Sequence, residues 1–465
     1  MFHLLPRINS KALASGAGSA ALFAAILIPC LIFPRPAPAV EVGEDGGRAL
    51  TIKDAILTAF INNKPIHIQE QEIKFARADI MYAKSRFLPQ VGMSYSYTLN
   101  DATPGQGTLV GGARKDAGIF YGYKNDNLFS LYATETIYNG GANIAQLQQA
   151  KVQLKIQEET LRATKLDVEF ETKRLFYGLL LGYETLRIAE DLVDQARAHY
   201  DEVNAMYSQG MSSKFDVLQS KTQVAVLIPQ LVNAQNAITL ITAELKKELG
   251  VNMKDPVRIS GELEFEEIEI KEDDFLTEAY SHNPQMILKL LGVDLKKWSI
   301  ELAKAGWLPQ VNAYAGYTYE SNNVDDMFNP RHNLWNVGVQ ASIAIFDGFA
   351  TKALVDAAKA RYAQAALQKE NIRDQLVVDI RSACVDLKQA KAIIESQRSS
   401  IVEAEESLRL SKVRFENGVG INLDVFDAEV ALAQVQQSLA QGTYDYIMAR
   451  AQLDRTTGRQ YQGGS

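Results

Sequence analysis

The sequence predicts a mainly α-helical chain carrying a few membrane-type β-strands, built as two copies of one unit. Three observations predict it. Unusual motifs recur in the same order in both halves. Four segments alternate with period two. Two long stretches, 141–207 and 348–415, run without proline and with a seven-residue apolar spacing.

The duplication is explicit. RFLPQVGMSYSY at 86–97 recurs as GWLPQVNAYAGYTY at 306–319, and IYNGG at 137–141 as IFDGF at 345–349. YSQGMSSKFDVL at 207–218 recurs as FENGVGINLDVF at 415–426. A closing Leu249-Gly250 matches Thr457-Gly458. Two copies of one unit argue for a pseudo-symmetric assembly more than for a single catalytic centre.

The N-terminus reads as a secretory signal: Arg7 and Lys11, then the apolar run 20–28, then Ala37-Pro38-Ala39 as an A-x-A cleavage site. Val40 would be the first mature residue. Cys30 offers a rival lipoprotein reading, weakened by Pro29 where a small residue is expected. Later in the chain no long uncharged apolar stretch is evident, so no helix is expected to cross a membrane.

The first strand covers about 90–100. Val91, Met93, Tyr95, Tyr97 and Leu99 share one face; Gly92, Ser94, Ser96 and Thr98 share the other. The second, about 127–138, alternates only in part and carries Glu135. The third, about 310–320, places Val311, Ala313, Ala315, Tyr317 and Tyr319 together. The fourth, about 334–346, alternates from Trp335 to Ile345. Each is near the roughly 9–11 residues of a tilted membrane strand. An open sheet edge cannot face lipid, and four strands cannot close alone, so a membrane sheet forces an oligomer. A sheet on a soluble core is the alternative that alternation permits. Pro89 and Pro309 stop the preceding helices and start strands, because proline lacks the N–H that a helix interior needs.

The long helices carry a large row beside a small row. Ile380, Leu387, Ile394, Ile401, Leu408 and Phe415 repeat every seven, with Ala383, Ala390 and Ala404 three residues on and Gln397 interrupting. Leu179, Leu186, Val193, Tyr200 and Tyr207 run beside Gly182, Ala189 and Ala196. That pattern argues for coiled-coil neighbours, namely the following helices 214–249 and 423–454. Pro229 is expected to kink or break the first of these.

Glycines 210 and 418 fall where each long helix turns into its partner, and glycine supplies the positive φ of such a cap. Asp216, Asp424 and Asp427 follow. An acid in a first turn complements the helix dipole, which accounts for Asp216 and Asp424 better than for Asp427. Asp424 and Asp427 are three apart and share a face.

On the repeat, the paired LPQ strand starts and the glycine tips followed by Asp-Val, the chain resembles the TolC-like outer-membrane factor family from about Thr51 to Gly458. The resemblance implies a trimer. Each chain would give four strands to a twelve-stranded barrel in contact with outer-membrane lipid, and four helix segments to a coiled-coil periplasmic tunnel. It implies a passive exit duct for efflux or type I secretion, served by a periplasmic adaptor and an inner-membrane pump, proton-driven or of the ABC type. It puts constriction aspartates at Asp424 and Asp427, with Asp216 a further candidate, and adaptor docking at the tips: Gly210, Met211, Gly418, Gly420 and Ile421. The family's tip arginine is matched by Gly420 and its tyrosine by Phe415, so its hydrogen-bonded lock is absent from those positions. A closed end held by packing and aspartate hydration is expected instead. Polar loops 100–126 and 320–333 would be extracellular.

The divisions expected are a signal peptide 1–39, a first repeat 40–250 with its hairpin at 141–249, an acidic linker 251–271, a second repeat 272–458 with its hairpin at 348–455, and a flexible tail 459–465. The linker is read as a solvated segment packed around the tunnel's waist.

A formal charge of −8 gives no reason to expect nucleic acid. With two cysteines, Cys30 and Cys384, no disulfide framework is expected, and Cys384 reads as a small core residue. The five histidines are scattered without metal-site spacing. No P-loop, dinucleotide fingerprint or G-x-S-x-G appears, so neither an enzyme nor a cofactor is expected. The alternative from another class is a periplasmic coiled-coil adaptor or scaffold.

Overall fold

The computed structural model describes residues 50–99, 125–321, 323–326 and 333–460. The expected signal peptide, most of the first polar loop, half of the second and the tail beyond 460 lie outside the described residues.

Two short helices open the described chain: α1 (Ile52–Asn62) and α2 (Lys64–Ser85). Thr51 caps α1 by accepting the Asp54 N–H, while the Asp54 carboxylate accepts the Thr51 N–H, satisfying two donors that a helix start leaves open. Strands β1 (Gln90–Leu99) and β2 (Asn125–Asn139) follow, then α3 (Ala142–Ser208) and α4 (Lys214–Leu249). The same order returns as α5 (Glu272–His282), α6 (Pro284–Lys304), β3 (Gln310–Ser321), β4 (Asn333–Ser342), α7 (Ala350–Glu416) and α8 (Asn422–Thr457). Helices α3 and α7 each have 67 residues, and α4 and α8 each have 36. At 1.5 Å per residue the long pair spans about 100 Å.

The junctions agree in detail. The Asn63 side-chain amide donates to the Glu248 carbonyl at 2.8 Å, and that of Asn283 donates to the Thr456 carbonyl at 2.8 Å. Each ties the start of a short helix to the end of a 36-residue one.

The strands form one antiparallel sheet in the order β1-β2-β3-β4. Its register sorts the side chains. Met93, Leu131, Tyr317 and Trp335 lie in one cross-strand row, and Val91, Ala133, Ala315 and Val337 in the next on the same face. The opposite face carries Ser96, Leu128 and Glu320, then Ser94, Ser130, Thr318 and Leu334, then Gln90 and Thr134, then Thr136, Asn312 and Gln340. On that polar face the Tyr132 ring covers Gly92 and the Tyr314 ring covers Gly338. Glu135 belongs to the apolar face, paired with Ala313. A bulge between Thr136 and Tyr138 restores the alternation afterwards, which explains why β2 is the hardest strand to read from sequence.

Core packing is helical. Ile380, Leu387 and Ile394 are fully buried beside Ala383, Cys384 and Ala390, under Tyr446, Ala449 and Leu453 of α8. Leu175, Phe176 and Leu179 pack on Leu245 and Leu249 of α4 and on Ala55 and Ala59 of α1. The expected pairing of each long helix with the next one is observed.

Several expectations need correction. The heptad row loosens toward the tip: Ile401 and Phe415 are half-buried and Tyr207 is exposed. Strand β4 ends at Ser342, not near 346, because its partner β3 begins at Gln310, directly after Pro309. Beyond that pair there is no ladder, and Ile345 is 96% exposed. Pro229 does not break α4, which is assigned as one helix through it. Leu227 and Ala234 hold the flanking turns in the core while Pro229 faces outward, so the single lost hydrogen bond is tolerated. Helix α4 is also long and apolar enough to cross a membrane by length and composition, with a mean hydropathy of 1.5 over its best window. Uncharged Gln, Asn and Thr break that run instead of charges. It packs against α3 and leaves Val226, Val232 and Leu240 exposed.

The acidic linker is only half solvated. Phe265, Ile268 and Ile270 pack against the α7–α8 core, while Glu262, Glu264 and Glu269 face out. Lys391 binds Glu267, and Arg450 reaches Glu266 at 3.2 Å. Glu272, Asp273 and Asp274 belong to the first turn of α5. The tail begins later than expected: Arg459 pairs with Glu278 at 2.6 Å.

Candidate functional site

Each hairpin tip is closed by the same backbone device. Gly210 (φ +76°) donates to the Tyr207 carbonyl at 3.0 Å and Met211 to the Met206 carbonyl at 2.9 Å. Gly418 (φ +70°) donates to the Phe415 carbonyl and Val419 to the Arg414 carbonyl, both at 2.9 Å. The six-to-one bond satisfies carbonyls that a helix end leaves open. The tips then present apolar side chains: Met211, Phe215 and Leu218 on one, Val419, Ile421 and Leu423 on the other, all exposed. A side chain at Gly420 would press on the Phe415 backbone and the Arg414 Cβ. The backbone there is drawn in, with the Gly420 N–H on the Arg414 carbonyl at 2.9 Å.

The three aspartates differ. One oxygen of Asp216 accepts from the Ser213 N–H at 3.0 Å, the Ser213 hydroxyl at 2.6 Å and the Ser212 hydroxyl at 3.2 Å. The hydroxyl bond from Ser213 holds this carboxyl below the usual aspartate range. Asp216 is therefore engaged as a cap. Asp424 is half-buried and receives the Ile421 N–H at 3.4 Å. Asp427, one turn further along α8, is exposed.

Sequence reading missed the group that joins the two hairpins behind the tips. His199 of α3 and Asn422 of α8 are both buried. The Asn422 amide nitrogen donates to Gln219 Oε1 of α4 at 3.2 Å, so its oxygen is the acceptor for His199 Nε2–H at 2.5 Å. The Phe415 ring stands edge-on to the imidazole at 5.0 Å. Next to them Glu429 of α8 is 2% exposed, with Lys412 of α7 at 3.3 Å. The signal was present as phase. His199 continues the stripe of Leu192, Val193 and Ala196, and Glu429 sits four after Val425 and one after Ala428, all buried. Among the described residues no group of three or more His, Cys, Asp or Glu is arranged to hold a metal ion.

Comparison with known proteins agrees with this architecture. The chain is 20% identical to the outer membrane protein TolC of Vibrio cholerae over 81% of its length and 83% of that protein. It is 19% identical to the alkaline protease secretion protein AprF of Pseudomonas aeruginosa, over 87% of this chain and 84% of that one. Among solved structures, the Campylobacter jejuni CmeC outer membrane channel superposes with a TM-score of 0.78 at 17% identity, covering 92% of both chains. The Vibrio cholerae outer membrane protein VceC gives 0.74 at 17% identity, covering 88% of this chain and 96% of that one. The family model "Outer membrane efflux protein" matches residues 56–251 and 275–459. The chain belongs to the outer membrane efflux protein family, the TolC family.

Proposed function

We propose that this chain is a passive exit duct of the outer membrane, carrying substrates outward from an inner-membrane pump for efflux or secretion. The observation that carries it is the split sheet: one face apolar apart from Glu135, the other mainly polar with Asp126 and Glu320 toward one end, and β1 and β4 left as edges. An apolar face suits lipid and a polar face a water-filled lumen. The edges require closure by further copies, and three copies give twelve strands.

In this reading the chain is a twofold repeat, 40–250 and 272–458, joined by the strap 251–271 and preceded by a signal peptide 1–39 cleaved at Ala39/Val40. The hairpins α3–α4 and α7–α8 continue the barrel as a periplasmic coiled-coil tunnel. The exposed apolar face of α4 packs against a neighbouring copy. Asp424 and Asp427 form stacked anionic rings at the closed end, while Asp216 acts there as a helix cap first. The apolar tips around Gly210, Met211, Gly418, Gly420 and Ile421 dock a periplasmic adaptor. The relatives' names divide between efflux and protease secretion, so the cargo follows the pump.

Planar-bilayer recording tests the duct. The native protein should conduct with a preference for cations, and Asp424→Asn with Asp427→Asn should reduce that preference. Unchanged selectivity would remove the rings, and no conductance at all would remove the duct. Photocrosslinking from Met211 and Ile421 in cells then identifies the adaptor, and with it a proton-driven or an ATP-driven pump.

A further inference from the structure

Glu429 is a carboxylate where a carboxylate is costly. It borders the same cavity as Ala196 and His199 of α3, and the partner of its Oε1 is the Lys412 ammonium at 3.3 Å. The cavity is small, about 10 Å³, and is lined by His199, Gln219, Gln223 and Asn422 among others. That is room for about one water molecule. All four helices of the two hairpins contribute to its surroundings. Helix α3 brings His199 with Glu202 3.7 Å from the imidazole, α7 brings Lys412, and α4 brings the uncharged Gln219, Ser220 and Gln223. The hairpins are joined here by the His199–Asn422–Gln219 hydrogen bonds.

We propose that Glu429 is a proton-operated latch between the hairpins: protonated, it lets them pack at the tip, and ionised, it loosens that packing. The closed arrangement removes this side chain from water, and separating α3 from α8 returns it to water. Burial holds the Glu429 carboxyl above the usual glutamate range, with Lys412 and then His199 pulling it partly back. The closed tip therefore binds the proton more tightly than the open tip. Closure is favoured as pH falls through the raised value and disfavoured as pH rises through it. The latch geometry stands on the chain itself; its consequence for transport rests on the duct reading.

The test measures hairpin separation directly. Spin labels at Ser208→Cys and Glu416→Cys, with Cys30 and Cys384 replaced by alanine and labelled chains diluted into unlabelled ones, report the distance between the ends of α3 and α7. Between about pH 4 and about pH 8 the native distance distribution should broaden and lengthen as pH rises. Glu429→Gln should hold the short distance throughout. Lys412→Met, which removes the offsetting cation, should move the transition to higher pH. His199→Gln keeps the donor to Asn422 and should retain the transition. A native distance indifferent to pH, or a Glu429→Gln variant that still responds, would overturn the latch. Bilayer recording on the same samples separates the two readings. A pH-dependent distance without conductance removes the duct and keeps the latch; conductance with invariant distances does the reverse.

Discussion

Phe265 and Tyr446 pack ring against ring, tilted by 53° with 4.6 Å between centroids, and the Tyr446 hydroxyl accepts the Ile268 N–H at 3.1 Å. One residue of α8 thus fixes the strap between the two halves by both packing and a hydrogen bond. The Arg398 guanidinium lies over the Phe265 ring, 5.7 Å from its centroid.

Tyr446 is 1% exposed, so truncation there should be severe. Tyr446→Ala is expected to cost about 3–5 kcal/mol through the cavity it leaves. Tyr446→Phe should cost about 1 kcal/mol, the net worth of one hydrogen bond. Denaturant titration of both variants checks this, and proteolysis within 262–270 should accelerate in Tyr446→Ala before the helices are cut.

Gly458 ends α8 at φ +77°, with the His282 carbonyl where a methyl would project. At Gly210 the backbone is similarly left-handed but nothing lies within 4 Å. Gly210→Ala should therefore cost about 1–2 kcal/mol from conformation alone. Gly458→Ala should cost distinctly more, about 2–4 kcal/mol, by adding a backbone collision. Equal melting shifts for the two would contradict the close approach of α5 to the end of α8.

The Ser213–Asp216 cap predicts a pH-dependent tip. The Asp216 carboxyl is depressed in the folded state, so its contribution is present above the unfolded value and lost as pH falls through the depressed one. Ser213→Ala should cost about 1 kcal/mol near neutrality. That penalty should shrink in acid, where the native cap is also lost. Hydrogen exchange in the first turn of α4, compared between neutral and acid conditions, reads it.

Much of this architecture is legible in the sequence because it follows from periodicity. Ile380, Leu387 and Ile394 announce a buried seam by spacing alone, and alternation locates β1, β3 and β4. Three things were less legible. The bulge after Thr136 hides the phase of β2. The end of β4 is set by where β3 begins, which is a pairing fact. The strap reads as acidic because its glutamates outnumber Phe265, Ile268 and Ile270, although these three decide where it lies. The aspartates at the tips could be named from sequence, but their different engagements depend on hydroxyls and N–H groups that only the folded turn brings near. The His199–Asn422 bond joins residues 223 apart in sequence, beyond the reach of any local pattern.

Glu135 offers the sharpest test of which face meets lipid. It is paired with Ala313 and stands on the side of Val91, Met93 and Trp335, toward the end of β2 that leads into α3. A carboxylate on a lipid-facing surface is destabilising, less so near the interface than at the midplane. Glu135→Val should therefore stabilise the protein folded into lipid vesicles by about 1 kcal/mol, and should change little in the helical region. Ala133→Glu, one step along the same face and further from the strand end, should destabilise by more than Glu135→Val gains. Thr134→Glu, on the polar face, should be tolerated. Urea titration in vesicles distinguishes these outcomes. If Glu135→Val weakens the fold while Ala133→Glu is neutral, the apolar face is not the one in contact with lipid, and the sheet must close the other way round.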